Sequence, residues 1–428
     1  MRDSSITVEL MTYPFSRSTY SDIAGGDTAV HSFIGDEQFL LAIVEFEKAL
    51  ATAAHTSGFI TDDEHVAALK AIDSYELDVA EISTLSAGGA NPAIPIAKQL
   101  KALAGEVGIK GIHTGATSQD AIDTALVLVL KRGIAELLDG CTHIMRMLAG
   151  LSELHADTPI VGRTLGQAAQ SMTFGLIAAN WLEVLDNACQ EVERASTLLP
   201  VQYGGATGTL SATHPHGLDI HDQLAQMLGL ESHPRVWHTN RVPFARVASA
   251  LSIVAGAIRK IAGDIVFMSA SEVGELREAT PGGSSSMPHK ANPAAAIAAD
   301  GYARRAPGLA NTMLESMDSR LQRGVGSWHA EWATLRELVA VTASAQSRLY
   351  ASLIGIGVNK EAMENNLIDT GTIGHTHDLI KAIIDHAEFI HRPHSEDGCS
   401  YCEPWQDPVR TRKNPSEGRN NDSAESST

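Results

Sequence analysis

Four cysteines are scattered over 428 residues, too few for a disulfide framework. Cys141 and Cys189 fall in apolar, helix-like stretches and read as inert core thiols. Aromatic residues make up only 5% of the chain, while alanine is plentiful. That balance favours closely packed helices, because alanine has the best helix propensity and the β-formers are scarce. No apolar run approaches the length of about 20 residues that a membrane span needs. The longest, near 247–258, stops at Arg259 and Lys260. The opening MRDSSITVEL lacks the apolar core of a signal peptide, so the expected location is the cytoplasm. No block of lysine and arginine interrupts a net charge of −19, which argues against a nucleic-acid partner. A small anion remains a possible ligand if cations are focused in a pocket. With 44% hydrophobic and 19% charged residues, the chain can bury a large core, and global disorder is excluded.

Helical spacing appears first at Asp36, with Phe39, Ile43, Phe46 and Leu50 on one face. Thr61 through Glu64 (TDDE) forms a capping-box pattern that predicts a second helix running to Ile72. Residues 86–95 (SAGGANPAIP) read as a loop. From 118 to 156 there is no proline, which predicts a helix about 58 Å long if unbroken. Further proline-free stretches cover 165–199, 244–280, a segment after Pro307, and 333–354; these also read as long helices. Such lengths suggest an elongated bundle whose core is shared between subunits. No repeat of 20–50 residues is present. Beyond His391 the composition turns to Pro, Ser, Asn, Asp and Glu, and 391–428 reads as a disordered tail.

Three short polar segments containing glycine separate the long helices: GIHTGATSQD (111–120), VQYGGATGT (201–209) and PGGSSSMPHKANP (281–293). Polar loops on a rigid scaffold are where chemistry usually sits. In the third, Gly282 and Gly283 free the backbone to expose its N–H groups, and three serines precede His289, Lys290 and Asn292. N–H groups and a neighbouring ammonium can stabilise a serine alkoxide or a bound carboxylate. GGSSS alone would read as a linker, but linkers rarely continue as MPHKANP. Gly204, Gly205 and Gly208 follow no strand, so a nucleotide fingerprint is rejected there.

GSSSMPHKANP resembles the signature loop of the fumarase/aspartase superfamily. HTGATSQD (113–120) and GRTLGQA (162–168) resemble two further shared regions, and the resemblance spans roughly 10–390. It implies an all-α, three-part fold: an N-terminal helical domain (1–110), a central long-helix bundle (111–350) carrying loop 281–293, and a short C-terminal helical domain (351–390), ahead of the 391–428 tail. It further implies a homotetramer in which each site draws on several subunits. The implied chemistry is addition or elimination next to a carboxylate, with no cofactor, no metal and a small di- or tricarboxylate as partner.

Within the superfamily, HTGATSQDAIDTAL, SWHAEW (327–332) and the apolar residue after GRT resemble the muconate-cycloisomerase branch. Adenylosuccinate lyase and fumarase would be expected to carry histidine where this chain has Leu165. Expelling an amine or hydroxide needs a general acid. A lactone expels a carboxylate of pKa about 4, which leaves without a proton. The leucine therefore fits lactone chemistry. Adenylosuccinate lyase and a non-catalytic helical scaffold are the alternatives; the intact serine loop argues against the scaffold.

By resemblance Ser284, rather than Ser285 or Ser286, exchanges the proton, while Lys290 and Asn292 hold the aci-carboxylate. Thr117, Ser118 and Gln119, at the start of a long helix, would receive another carboxylate, with Arg163 and Gln167 beside them. His113 is a candidate site residue or a structural cap. Ser285, Met287 and His289 are expected to line the same loop site. Trp328, His329 and Trp332 are pocket candidates, although an aromatic stripe on a helix is more often core. Arg241 and Arg246 are candidate carboxylate ligands or, alternatively, ion-pair partners. Cys399 and Cys402, with His391 and His394, make half of a zinc pattern; a lone CxxC is weak, and no metal is expected.

Overall fold

Local signals build the N-terminal helices. The computed structural model describes residues 29–368, 371 and 373–392. Helices α1 (Ala29–Ile34) and α2 (Asp36–Thr56) come first, and α2 buries Phe39, Ile43, Phe46 and Leu50, the face expected from their spacing. At α3 (Asp62–Asp73), the Glu64 N–H donates to Thr61 Oγ1 at 3.3 Å and the Thr61 N–H donates to the Glu64 carboxylate at 3.0 Å. The capping box therefore starts this helix, and α4 (Val79–Ser86) and α5 (Ala93–Gly108) flank the expected loop.

Next comes α6 (Ser118–Leu154), an unbroken helix of 37 residues. The proline-free stretch at 165–199 is not one helix, contrary to expectation. Strands β1 (Pro159–Thr164) and β2 (Gln167–Thr173) form an antiparallel hairpin, and α7 (Phe174–Thr197) begins only after it. Leu165 and Gly166 make the turn, both at positive φ (54° and 77°), a geometry that matches strand twist. Thr173 then stops the strand and caps α7, its hydroxyl accepting the Leu176 N–H at 3.4 Å.

The remaining elements are α8 (Gly217–Leu228), α9 (Val242–Met268), β3 (Leu276–Arg277), α10 (Ala294–Ala303), α11 (Ala306–Glu315), α12 (Ser327–Leu353), β4 (Gly357–Val358), α13 (Lys360–Asn365) and α14 (Thr376–His386). Helix α6 packs between α7 and α12, and α9 closes against both α7 and α12. These four long helices make the central bundle. Helices α1 and α2 cover α6, while α10 and α11 cover α9 and α12. Among the described residues, no helix is long and apolar enough to cross a membrane, and no group of three His, Cys, Asp or Glu side chains is placed to hold a metal.

The unit that holds the described residues ends at Arg392. His391 and Arg392 thus belong to it rather than to the tail assigned by composition. Phe389 is buried, its N–H donating to Asp186 Oδ1 at 3.0 Å. Arg392 forks onto Glu193 at 2.5 and 2.8 Å and stacks over the Phe389 ring. Residues 393–428, with His394, Cys399 and Cys402, lie outside the described residues.

One interior ion cluster ties the bundle together. Arg241, at the start of α9, is 1% exposed. Its guanidinium donates to Glu331 of α12 at 3.0 and 2.5 Å and to Asp123 of α6 at 2.8 and 3.1 Å. Trp328 Nε1 donates to Asp123 at 2.9 Å, and the guanidinium lies over the rings of Trp237 and Phe244. This corrects the reading of Arg241 as a carboxylate ligand and of Trp328 as a pocket wall: the donors of both are directed into the core. Two carboxylates share one guanidinium here. Burial accordingly raises the Glu331 carboxyl from its ordinary 4.5 to about 7, with Arg241 opposing and Asp123 reinforcing the rise. Between those values the folded chain holds a proton that the unfolded chain has released. Glu331 therefore contributes stability at low pH that is lost as pH rises towards about 7. Glu331→Gln should flatten that fall by about 1 to 3 kcal/mol, read from urea midpoints across the window; an unchanged slope would contradict the assignment.

Candidate active site

The first polar segment is built around Asp120, in the first turn of α6. Its buried carboxylate accepts the N–H groups of Gly204 and Gly205 at 3.0 and 2.9 Å and that of Thr117 at 2.9 Å, and it meets His238 Nε2 at 2.6 Å. The glycine loop at 204–208 therefore wraps an internal carboxylate. Gly115 closes the turn above it at φ 66°, where an added Cβ would lie 2.5 Å from Thr213 Cγ2.

Thr117 and Gln119 meet a residue that sequence reasoning missed. Arg323, in the loop before α12, donates to Thr117 Oγ1 at 2.6 Å and to Gln119 Oε1 at 2.8 Å. The buried Gln119 amide donates in turn to His238 O at 2.8 Å and Asp123 at 3.2 Å, so the whole group is fixed by the interior network. Ser118 opens α6 beside them, half-buried. An arginine near the glycines ahead of SWHAEW was the available signal.

His113 adopts φ 57°, unfavourable for a side chain with a Cβ. Glu47 of α2 grips it twice: the His113 N–H donates to Oε2 at 2.7 Å, and ring Nδ1 lies 2.6 Å from Oε1. Burial alone would push this imidazole down. The Glu47 charge and hydrogen bond, with Asp120, outweigh burial and the opposing Lys101, so His113 titrates above its ordinary range.

The hairpin places Arg163 against Glu275, a buried carboxylate, with two bonds of 2.9 and 2.6 Å. Glu275 also accepts from Asn366 at 2.9 Å. Arg163 is thus committed to positioning the segment before the serine loop, a correction to its reading as a substrate ligand. Leu165 stands fully exposed at the hairpin tip, and Gln167 turns its amide onto the Gly166 carbonyl at 3.2 Å.

Loop 281–293 is closed at its base by reciprocal backbone bonds between Gly282 and Asn292, at 2.8 and 2.9 Å. An added Cβ at Gly282 would lie 2.6 Å from the Ala294 Cβ. The Asn292 amide donates to the Gly283 carbonyl at 3.1 Å, so this side chain braces the loop instead of presenting itself to a ligand. Ser284 Oγ accepts the N–H groups of Ser286 and Met287 at 3.4 and 3.2 Å. Ser285, Met287, His289 and Lys290 are exposed around it. Glu278 anchors the far side, accepting the N–H groups of Ala295 and Ala296 at the start of α10. On α12, exposed His329 packs against the rings of Trp328 and Trp332. Arg246 lines a groove between α7, α9 and α11 with Leu198, Ile253 and Leu314.

A family model described as a lyase matches residues 19–308. This chain belongs to the fumarase/aspartase superfamily of lyases. It is 37% identical to the 3-carboxy-cis,cis-muconate cycloisomerase of Pseudomonas aeruginosa over 82% of this chain and 77% of that protein. It is 35% identical to a nitrosuccinate lyase of Streptomyces davaonensis, over 80% of this chain and 76% of the relative. The crystal structure of the 3-carboxy-cis,cis-muconate lactonizing enzyme from Pseudomonas putida matches with a TM-score of 0.77 and 31% identity, covering 85% of this chain and 87% of that one. As in other members of the superfamily, the substrate class is a small carboxylate. Arg323 is the cation already held at the hydroxyl and amide of the α6 entrance. Arg323→Gln should weaken binding of a small polycarboxylate such as tricarballylate roughly 10- to 100-fold by calorimetry, with little change in melting temperature.

Proposed function

We propose that the chain is a 3-carboxy-cis,cis-muconate cycloisomerase that needs no cofactor. The observation carrying this reading is the pair of N–H groups aimed at Ser284 Oγ, in a chain whose relatives include cycloisomerases of that name. In the lactonising direction, one carboxylate oxygen forms a C–O bond to an alkene carbon. The alkene electron pair moves to the neighbouring carbon and into its carboxylate, giving the aci form. Ser284 delivers its hydroxyl proton to that carbon. The alkoxide left behind is stabilised by the Ser286 and Met287 N–H groups and by Lys290 until it regains a proton from water. Asn292 keeps the loop in that shape. Thr117 and Arg323 receive a second carboxylate at the positive end of α6, with the buried Gln119 holding the Arg323 guanidinium in place.

In the reverse direction the leaving group is a carboxylate of pKa about 4, so no acid is required at the hairpin tip. The apolar Leu165 there supports this direction of reasoning. Ser284→Ala should lower the rate of loss of conjugated absorbance from 3-carboxymuconate by about 10² to 10⁴-fold with the fold intact. Retention of more than about a tenth of the rate would remove Ser284 from the mechanism. Fumarate release from adenylosuccinate, with carboxymuconate untouched, would favour the alternative lyase reading.

The serine loop, the α6 entrance and the hairpin tip are each anchored to their own part of the scaffold. The reading therefore includes a homotetramer in the cytoplasm, whose sites combine these segments from different copies. Light scattering should give four chains per particle. Mixed particles of Thr117 and Ser284 mutants, each inactive alone, should regain part of the wild-type rate; a mixture as dead as its components would contradict shared sites.

A further inference from the structure

Histidine at φ 57° is disfavoured where glycine would sit easily, and Glu47 holds it there through two bonds. Glu47 is 1% exposed, and both of its oxygens are committed to His113. Binding at Nδ1 fixes the ring's orientation and leaves Nε2 on the edge turned away from Glu47. The His113 side chain keeps 14% exposure. Its carbonyl accepts the Ala116 N–H at 3.3 Å, so the same turn leads directly into Thr117. Thr114 is pinned beneath this turn, its carbonyl accepting from Tyr203 OH at 3.0 Å.

We propose that Glu47 is a positioning residue for His113, holding the imidazole by Nδ1 so that its Nε2–H donates to the substrate carboxylate received at Thr117 and Arg323. The assignment rests on the cycloisomerase reading for the identity of the substrate, but not for the pairing itself. A site built this way would offer a guanidinium and an imidazolium to one ligand, suited to a polycarboxylate more than to a monocarboxylate. The charged groups facing His113 are Glu47 from α2 and Asp120 from α6, which favour its protonated form, and Lys101 from α5, which opposes it. Affinity should therefore fall as pH rises and the imidazolium is lost, while the substrate carboxylates stay ionised.

The test measures tricarballylate affinity by calorimetry between about pH 7 and about pH 9, alongside turnover of 3-carboxymuconate, for wild type and Glu47→Gln. In wild type, affinity should weaken across that range. In Glu47→Gln, the weakening should move to lower pH by at least about one unit, leaving binding at neutral pH roughly tenfold poorer. Superimposable pH profiles would overturn the proposal, as would a flat wild-type profile. Should Glu47→Gln fail to fold, His113→Gln serves instead: it should bind weakly and without the pH dependence, and a retained wild-type dependence would again overturn the proposal. If binding behaves as expected while 3-carboxymuconate is not turned over, the pairing stands and the cycloisomerase reading falls. If turnover is found with binding that ignores pH and Glu47, the reading stands and the pairing falls.

Discussion

Three helices meet at one buried guanidinium. Arg241 is shared by a carboxylate from α6 and one from α12, and Thr117 and Arg323, which receive a carboxylate in the proposed mechanism, lie on the segments that lead into these anchors. Removing one partner from such a cluster leaves an uncompensated buried charge and typically costs about 3 to 5 kcal/mol. Burial is the main reason that Glu331 holds a proton so readily, with Asp123 adding to it and Arg241 opposing it. Aromatic faces from Trp237 and Phe244 cover the guanidinium, so the charge is embedded and kept from water. The position of Gln119, one helical turn before Asp123, follows from this arrangement, and with it the position of Arg323.

Much of the scaffold was legible because its signals are local. The TDDE capping box, the apolar face of α2 and the uninterrupted run of α6 each depend on residues within a few turns of one another. The hairpin was misread because absence of proline is a weaker signal than presence of β-branched residues. Ile160, Val161, Thr164 and Thr173 mark the strands, but Leu165-Gly166 does not announce a turn. Composition placed the tail boundary slightly early, since a window average cannot see that Arg392 meets Glu193 across 199 positions.

The candidate site divides the same way. Motif resemblance identified Ser284 and its loop, yet the two N–H donors on its hydroxyl and the bracing role of Asn292 are matters of geometry. Arg323 reaches Thr117 across 206 positions, and Glu47 reaches His113 across 66. No spacing rule connects such pairs. Arg163 and Arg241 look alike in sequence as free cations, and both prove to be neutralised by buried carboxylates.

The hairpin between α6 and α7 separates two demands that usually conflict. Its strands carry the buried residues Ile160 and Val161, whereas its tip contributes nothing to the core. A change of side chain at Leu165 is therefore nearly free of selection for stability and exposed to selection for chemistry alone. Lineages sharing this scaffold could exchange one leaving group for another at that tip without refolding anything beneath it. That is a structural route by which a superfamily can diversify its reactions faster than its architecture.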